Sequence, residues 1–91
     1  MSLIVAIDVG LKNCGLCAFD FLTNKVVCWQ NVCLVPGKYR PSNNVSYVRE
    51  FLQTYQALFE KAQMVLVERQ MRCNMRILEA LLEFNFAARD R

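Results

Sequence analysis

At 91 residues the chain is bounded to one small domain with a modest core. A formal net charge of +3 permits a polyanionic partner without requiring one. An apolar fraction of 55% is high for a small self-contained domain, so either the core is unusually dense or some apolar surface expects a partner.

Ser2–Val9 (SLIVAIDV) is an apolar run broken only by Asp8, the pattern of a strand covered on both faces near the middle of a sheet. Its apolar opening Leu3–Ile7 has no basic segment ahead of it and runs directly into Asp8, so neither a signal h-region nor a membrane span is expected there. Gly10 and Leu11–Asn13 form a turn, and Cys14–Phe21 (CGLCAFDF) is a second strand. Thr23–Lys25 is a short hairpin connection into a third strand, Lys25–Leu34 (KVVCWQNVCL), with Trp29 expected in the core. Three sequential strands with short links make an antiparallel meander.

Val35–Asn44 (VPGKYRPSNN) is the clear loop, marked by Pro36, Gly37 and Pro41. Asn43 or Asn44 is placed to cap a helix in which Val45, Val48, Leu52, Tyr55 and Phe59 recur at helical spacing. Phe51, Leu58 and Ala62 widen that stripe, and the helix should end near Lys61. Gln63–Glu68 (QMVLVE) is another short apolar strand ending in an acid, and a strong helical pattern begins at about Cys73. The order β-β-β-α-β-α predicts a mixed sheet with helices packed on it, in one domain spanning residues 1–91.

Five cysteines, an odd number, fit a reducing intracellular compartment, where they serve mostly as small buried hydrophobes. Cys14 and Cys17 form a C-x-x-C, followed by Cys28 and Cys33. A zinc knuckle needs a tight turn at such a pair, however, and residues three apart on a strand point to opposite faces.

Asp8 and Glu68 carry the chemistry. Each acid ends a fully apolar strand, and if the two strands are parallel neighbours their backbones lie ~4.8 Å apart. Both carboxylates then emerge together at the edge where open α/β sheets bind ligands. Two such acids repel each other unless a cation sits between them. Mg²⁺ or Mn²⁺ is the natural choice, since hard cations take oxygen ligands and leave positions for water and phosphate. For either acid alone, a turn or a pairing with an arginine would be explanation enough. Their repetition at matched strand ends, flanked by Gly10 and Arg69, favours a metal site.

With those residues in hand, AIDVGLKNCG (Ala6–Gly15) resembles the first motif of RuvC-like Holliday junction resolvases. The variety is that of poxviruses, related large DNA viruses and fungal mitochondria. VLVERQMRCN (Val65–Asn74) resembles their second motif, an acid at a strand end followed by Arg-Gln and further basic residues. The resemblance implies a ribonuclease H-like fold and a structure-selective endonuclease that hydrolyses phosphodiesters at branched DNA with Mg²⁺ or Mn²⁺. It makes Asp8 and Glu68 the first two catalytic, metal-binding acids. Lys12, Asn13 and Gln70 fall at motif positions that support the site or touch substrate.

The family completes its metal site with two further acids on a later helix and uses about one and a half times as much chain. The sequence covers roughly the first half of that domain, so the C-terminal part of the fold is expected to be missing. The 91 residues alone are then expected to be inactive. Asp90 lies at the end of the last helix, away from where those acids belong.

Arg69, Arg72, Arg76 and Lys12 are expected near the acidic edge, where they could hold flanking phosphates. Lys38, Tyr39 and Arg40 pair charge with an aromatic ring in the loop, a combination that suits unstacked bases, although a solvated turn is the better explanation of them. In the last helix Arg72, Arg76, Glu79 and Glu83 make a narrow polar stripe. Met75, Leu78, Leu82 and Phe86 lie on one side of it, and Ile77, Leu81, Phe84 and Ala88 on the other. One side can cover the sheet. The other calls for more chain or a second subunit, and because the resolvases are symmetric dimers a homodimer through this helix is expected.

Two alternatives remain beside the resolvase. One is a junction-binding or scaffolding module of the same fold without a complete metal site. The other is an ATP-binding fragment of the actin-like class, whose Asp-x-Gly pattern is similar but whose second glycine-rich phosphate loop has no counterpart here. Cytoplasm, viral factory, nucleus and mitochondrion are all compatible compartments, and secretion is not expected.

Overall fold

The computed structural model describes residues 2–68 and 73–89, and of residues 73, 74, 88 and 89 the backbone alone. The meander is present as β1 (Leu3–Asp8), β2 (Cys14–Asp20) and β3 (Lys25–Val32). A 3₁₀ turn at Pro41–Asn43 leads into α1 (Asn44–Thr54) and α2 (Gln56–Lys61), followed by β4 (Ala62–Val67) and α3 (Cys73–Arg89). The sheet order is β3-β2-β1-β4. β1 pairs antiparallel with β2 and parallel with β4, and β2 pairs antiparallel with β3. The chain is thus an α/β protein with a mixed four-stranded sheet.

Local chemistry sets the connections. Asn24 adopts a left-handed conformation (φ 57°) in the β2–β3 hairpin, a geometry that asparagine tolerates better than most residues. Asp20 is buried, and its Oδ1 accepts the backbone N–H of Leu22 at 3.1 Å, which starts the turn. At the other end of the meander a Cβ on Gly10 would lie 2.4 Å from the Asn13 carbonyl oxygen, so this turn closes only around glycine.

The helical stretch between the loop and β4 ends at Lys61 as expected, but it is two helices rather than one. Tyr55 leaves helical geometry at φ −110°, ψ 22°, directly after a residue whose hydroxyl takes up a helix carbonyl, Thr54 Oγ1 donating to Glu50 O at 2.8 Å. Such side-chain competition loosens a helix. Asn43 occupies the N-cap position without a side-chain capping bond, the Pro41–Asn43 turn leading the chain in instead. The buried Asn44 side chain accepts a hydrogen bond from the Tyr39 hydroxyl at 2.7 Å, which fastens the loop to α1.

The core lies on one side of the sheet. Leu3, Val5 and Ile7 of β1 and Cys14, Leu16 and Ala18 of β2 form one buried cluster with Val48 and Phe51 of α1, Phe59 of α2, and Leu78 and Leu82 of α3. Aromatic contacts join the three helices, with Phe51 and Phe59 ring centroids 5.7 Å apart and Phe59 and Phe86 5.1 Å apart. These are separations at which edge-to-face and tilted pairs add to the burial.

Two expectations are corrected here. β1 is central in the sheet but not covered on both faces: Leu3, Val5 and Ile7 are buried while Ala6 and Asp8 are exposed. Trp29 is not a core residue but 79% exposed. The cause is shared, because the helical residues of the core meet the sheet on one face and Trp29 sits on the other. The register aligns Trp29 with Cys17, Cys17 with Ala6, and Ala6 with Leu66, a row across the uncovered face.

α3 divides as its pattern predicts, with Leu78 and Leu82 fully buried while Ile77 and Phe84 are exposed. Among the described residues no helix is long and apolar enough to cross a membrane. Leu78→Ala should therefore cost about 2–5 kcal/mol through the cavity it opens. Phe84→Ala should leave the urea midpoint of a monomeric sample within about 0.5 kcal/mol of the parent. Equal losses in the two variants would show that the outer side of α3 is buried in solution.

Candidate metal centre

β1 and β4 run parallel with Ile7 opposite Val67, and the ladder continues one step further, Glu68 N–H donating to Ile7 O at 3.0 Å. That bond sets Glu68 beside Asp8. Because Ile4 and Ala6 pair with Met64 and Leu66, both acids belong to the uncovered face, where side chains alternate with the buried set. The two carboxyl groups are hydrogen-bonded to each other.

The glutamate responds to this neighbour. Its pKa is raised above the ordinary value by the hydrogen bond with Asp8, by the Asp8 charge, and least by loss of water. A proton on Glu68 relieves the meeting of two like charges, which is why the shift is upward. A divalent cation does the same work with two positive charges. Mg²⁺ is commonly held by one or two carboxylates with water and phosphate filling the remaining octahedral positions, and the oxygen-only character of this pair suits it or Mn²⁺. Among the described residues no group of three or more His, Cys, Asp or Glu that could hold a metal ion comes together.

The space around the pair is kept open by small residues. Gly15 lies directly opposite Asp8 on β2, and a Cβ there would stand 3.4 Å from the Asp8 Cβ. An open groove of about 370 Å³ runs from Asp8 and Glu68 over Ala6 and Cys17 to Trp29 and Leu66.

The other expected residues are distributed differently. The Lys12 ammonium, expected at a phosphate, donates to the backbone carbonyls of Val35 and Gly37. It ties the turn after β1 to the loop after β3, assisted by Val35 N–H donating to Leu11 O at 2.9 Å. Asn13 Oδ1 accepts from Asn31 Nδ2 at 3.1 Å, which links the same turn to β3. Lys38, Arg40 and Arg76 are exposed. Arg69, Gln70, Arg72 and Asp90 lie outside the described residues.

Asn31 and Trp29 were not singled out from the sequence as site residues. The signal that finds them is register, since Asn31 pairs with Gly15, which in turn pairs with Asp8. Register is invisible until the hairpin's bulge between Ala18 and Phe19 is known.

Among the described residues the cysteines do not form a cluster. Cys14 is buried and Cys17 lies on the opposite, uncovered face, while Cys33 is exposed and donates to Val35 O at 3.4 Å. Burial pushes the Cys14 thiol up, opposed by a hydrogen bond with the Gly10 backbone and reinforced by the Asp8 charge, so it stays protonated and a poor metal ligand. The expectation of small buried hydrophobes holds for Cys14 and not for Cys33.

No family model, no curated protein and no solved structure matches the chain.

Because Glu68 keeps its proton to higher pH in the fold, the folded chain binds more protons than the unfolded one between the ordinary glutamate value and the raised one. Its contribution to stability therefore falls as pH rises through that window. A bound cation displaces the proton and offsets the loss. In thermal melts Mn²⁺ at tenfold its Kd should add about 1.4 kcal/mol at pH 7, and less as pH falls into the carboxylate range. Glu68→Gln should remove that increment, and an undiminished increment in the variant would place the ion elsewhere.

Proposed function

We propose that the chain carries the first two metal-binding acids of a ribonuclease H-like endonuclease that cuts branched DNA, of the Holliday junction resolvase kind. The observation that carries this reading is the adjacency of Asp8 and Glu68 at the ends of parallel neighbouring strands. The resemblance of Ala6–Gly15 and Val65–Asn74 to the resolvase motifs supplies the substrate class. The sheet order, an antiparallel meander with a parallel strand added beside β1, is compatible with that fold.

Asp8 and Glu68 would hold the ion, which when bound activates water and stabilises the leaving oxygen of a phosphodiester. The chain's own contribution is placement. The β1–β4 ladder keeps both carboxylates within reach of one ion, and Gly15 leaves room for a phosphate over Asp8. Lys12 holds the neighbouring turn against the loop. Arg76, Lys38 and Arg40, with Arg69, Gln70 and Arg72 of the second motif, are the residues assigned to the DNA backbone, where such contacts orient without reading sequence. A homodimer through α3 would present two such centres to the two strands that a four-way junction requires to be cut.

The test is a four-way junction assay with Mg²⁺ or Mn²⁺, using protein expressed from the complete open reading frame. Paired nicks near the branch point are expected. Asp8→Asn and Glu68→Gln should each lower cutting by at least about 100-fold, since even residues that only support metal ligands are worth 10–100-fold, while junction binding persists. Binding without cutting in either metal would favour the junction-binding or scaffolding module instead. Loss of binding together with cutting would assign the two acids a structural role.

A further inference from the structure

The uncovered face of the sheet is unusual in what it joins. Its row Trp29–Cys17–Ala6–Leu66 puts a tryptophan at one end, a leucine at the other and two small residues between them. The next row towards the strand ends is Asn31–Gly15–Asp8, with Glu68 beyond. A shallow slot results, floored by Gly15, Ala6 and Cys17, with Trp29 79% and Leu66 51% exposed on its two sides. Both carboxylates line the same groove.

The dimensions choose among occupants. Four strands at about 4.8 Å and six residues at about 3.3 Å give this face a projected area of roughly 400 Å². A stable protein interface buries about 800 Å² of accessible surface per partner, which would draw in surface beyond this face. A groove of about 370 Å³ is instead at the lower end of the range for small-molecule sites. The occupant must also be amphipathic, with a flat apolar part for the slot and an anionic part that a cation on the carboxylates would attract. Trp29 lies two strands across and two residues back from Asp8, roughly 12 Å away, the reach from a phosphate to the base of an adjacent unstacked nucleotide. Asn31 and Asn13, hydrogen-bonded to each other at the carboxylate end, present amide groups suited to a base edge.

The geometry points to a seat for an unpaired nucleobase on the uncovered sheet face, with Trp29 as its stacking partner and Asn31 at its polar rim. It rests on the nucleic-acid reading proposed above and adds that the substrate strand is unpaired where it crosses the sheet. Stacking on an aromatic side chain tolerates any base, so the seat selects for strand state rather than sequence.

Trp29 is the chain's single tryptophan, so its fluorescence reports this face alone. A 12-nucleotide single strand and the same sequence as a duplex are titrated in Mg²⁺ and in EDTA. The single strand should quench the emission by half or more in Mg²⁺, and the duplex by less than a tenth. With a labelled single strand followed by anisotropy, Trp29→Ala should weaken binding about 10-fold and Trp29→Phe about 2-fold, in line with the worth of one stacked base. Circular dichroism checks that both variants remain folded.

Equal quenching by duplex, no quenching, or unchanged affinity in Trp29→Ala would overturn the seat. So would a blue-shifted emission insensitive to acrylamide in the free protein, since the face would then be covered by other protein. The junction assay separates the two readings. Quenching without cutting leaves the seat standing and removes the endonuclease, whereas cutting unaffected by Trp29→Ala, with no quenching, removes only the seat.

Discussion

The parallel pairing of β1 with β4 is the constraint from which the rest follows. Some 60 residues of chain separate Asp8 from Glu68, and neither acid has any reason to approach the other on electrostatic grounds. What brings them together is backbone hydrogen bonding and the burial of Val5 and Ile7, which fix the register that ends with Glu68 N–H on Ile7 O. The apolar strands supply the free energy, and the carboxylates are carried along at the ends. Like-charge repulsion remains visible in Glu68, whose pKa is raised by the hydrogen bond and the charge of Asp8.

The second constraint is that the sheet is covered on one face. The helical aromatics Phe51, Phe59 and Phe86 close a single core over Leu3, Val5 and Leu16. The alternation of the strands then delivers every second residue to the other side, including Asp8, Ala6, Cys17, Trp29 and Leu66. The carboxylates, themselves exposed, therefore stand beside an apolar floor. This is also where some of the high apolar content goes, with Val26, Met64 and Leu66 exposed on the strands, while Phe84 is exposed elsewhere, on α3.

Lys12 shows how a basic residue beside an acidic centre can be used by the fold. Two of its three donors are spent on carbonyls of the loop after β3, and that clamp, with the Asn13–Asn31 bond, holds the turn that Gly10 permits. The turn after Asp8 is thereby fixed both to β3 and to the loop that follows it. A lysine without those two bonds would leave the carboxylate on a looser segment, and positioning of metal ligands depends on such supporting contacts.

Much of this was legible from the residues alone. The order of strands and helices, the two apolar runs each ending in an acid, and the buried and exposed sides of α3 all follow from local periodicity, which is a property of neighbouring residues. The break at Tyr55 and the exposure of Trp29 were not legible. A tryptophan among valines in Lys25–Val32 reads as core on hydrophobicity, because sequence carries side-chain character but not which face another element covers. The tertiary structure alone decided that question, along with the register that places Asn31, Gly15 and Asp8 in one row, since both depend on contacts between residues far apart in the chain. The sequence by itself determined that two acids stand at strand ends, and the fold determined that they meet.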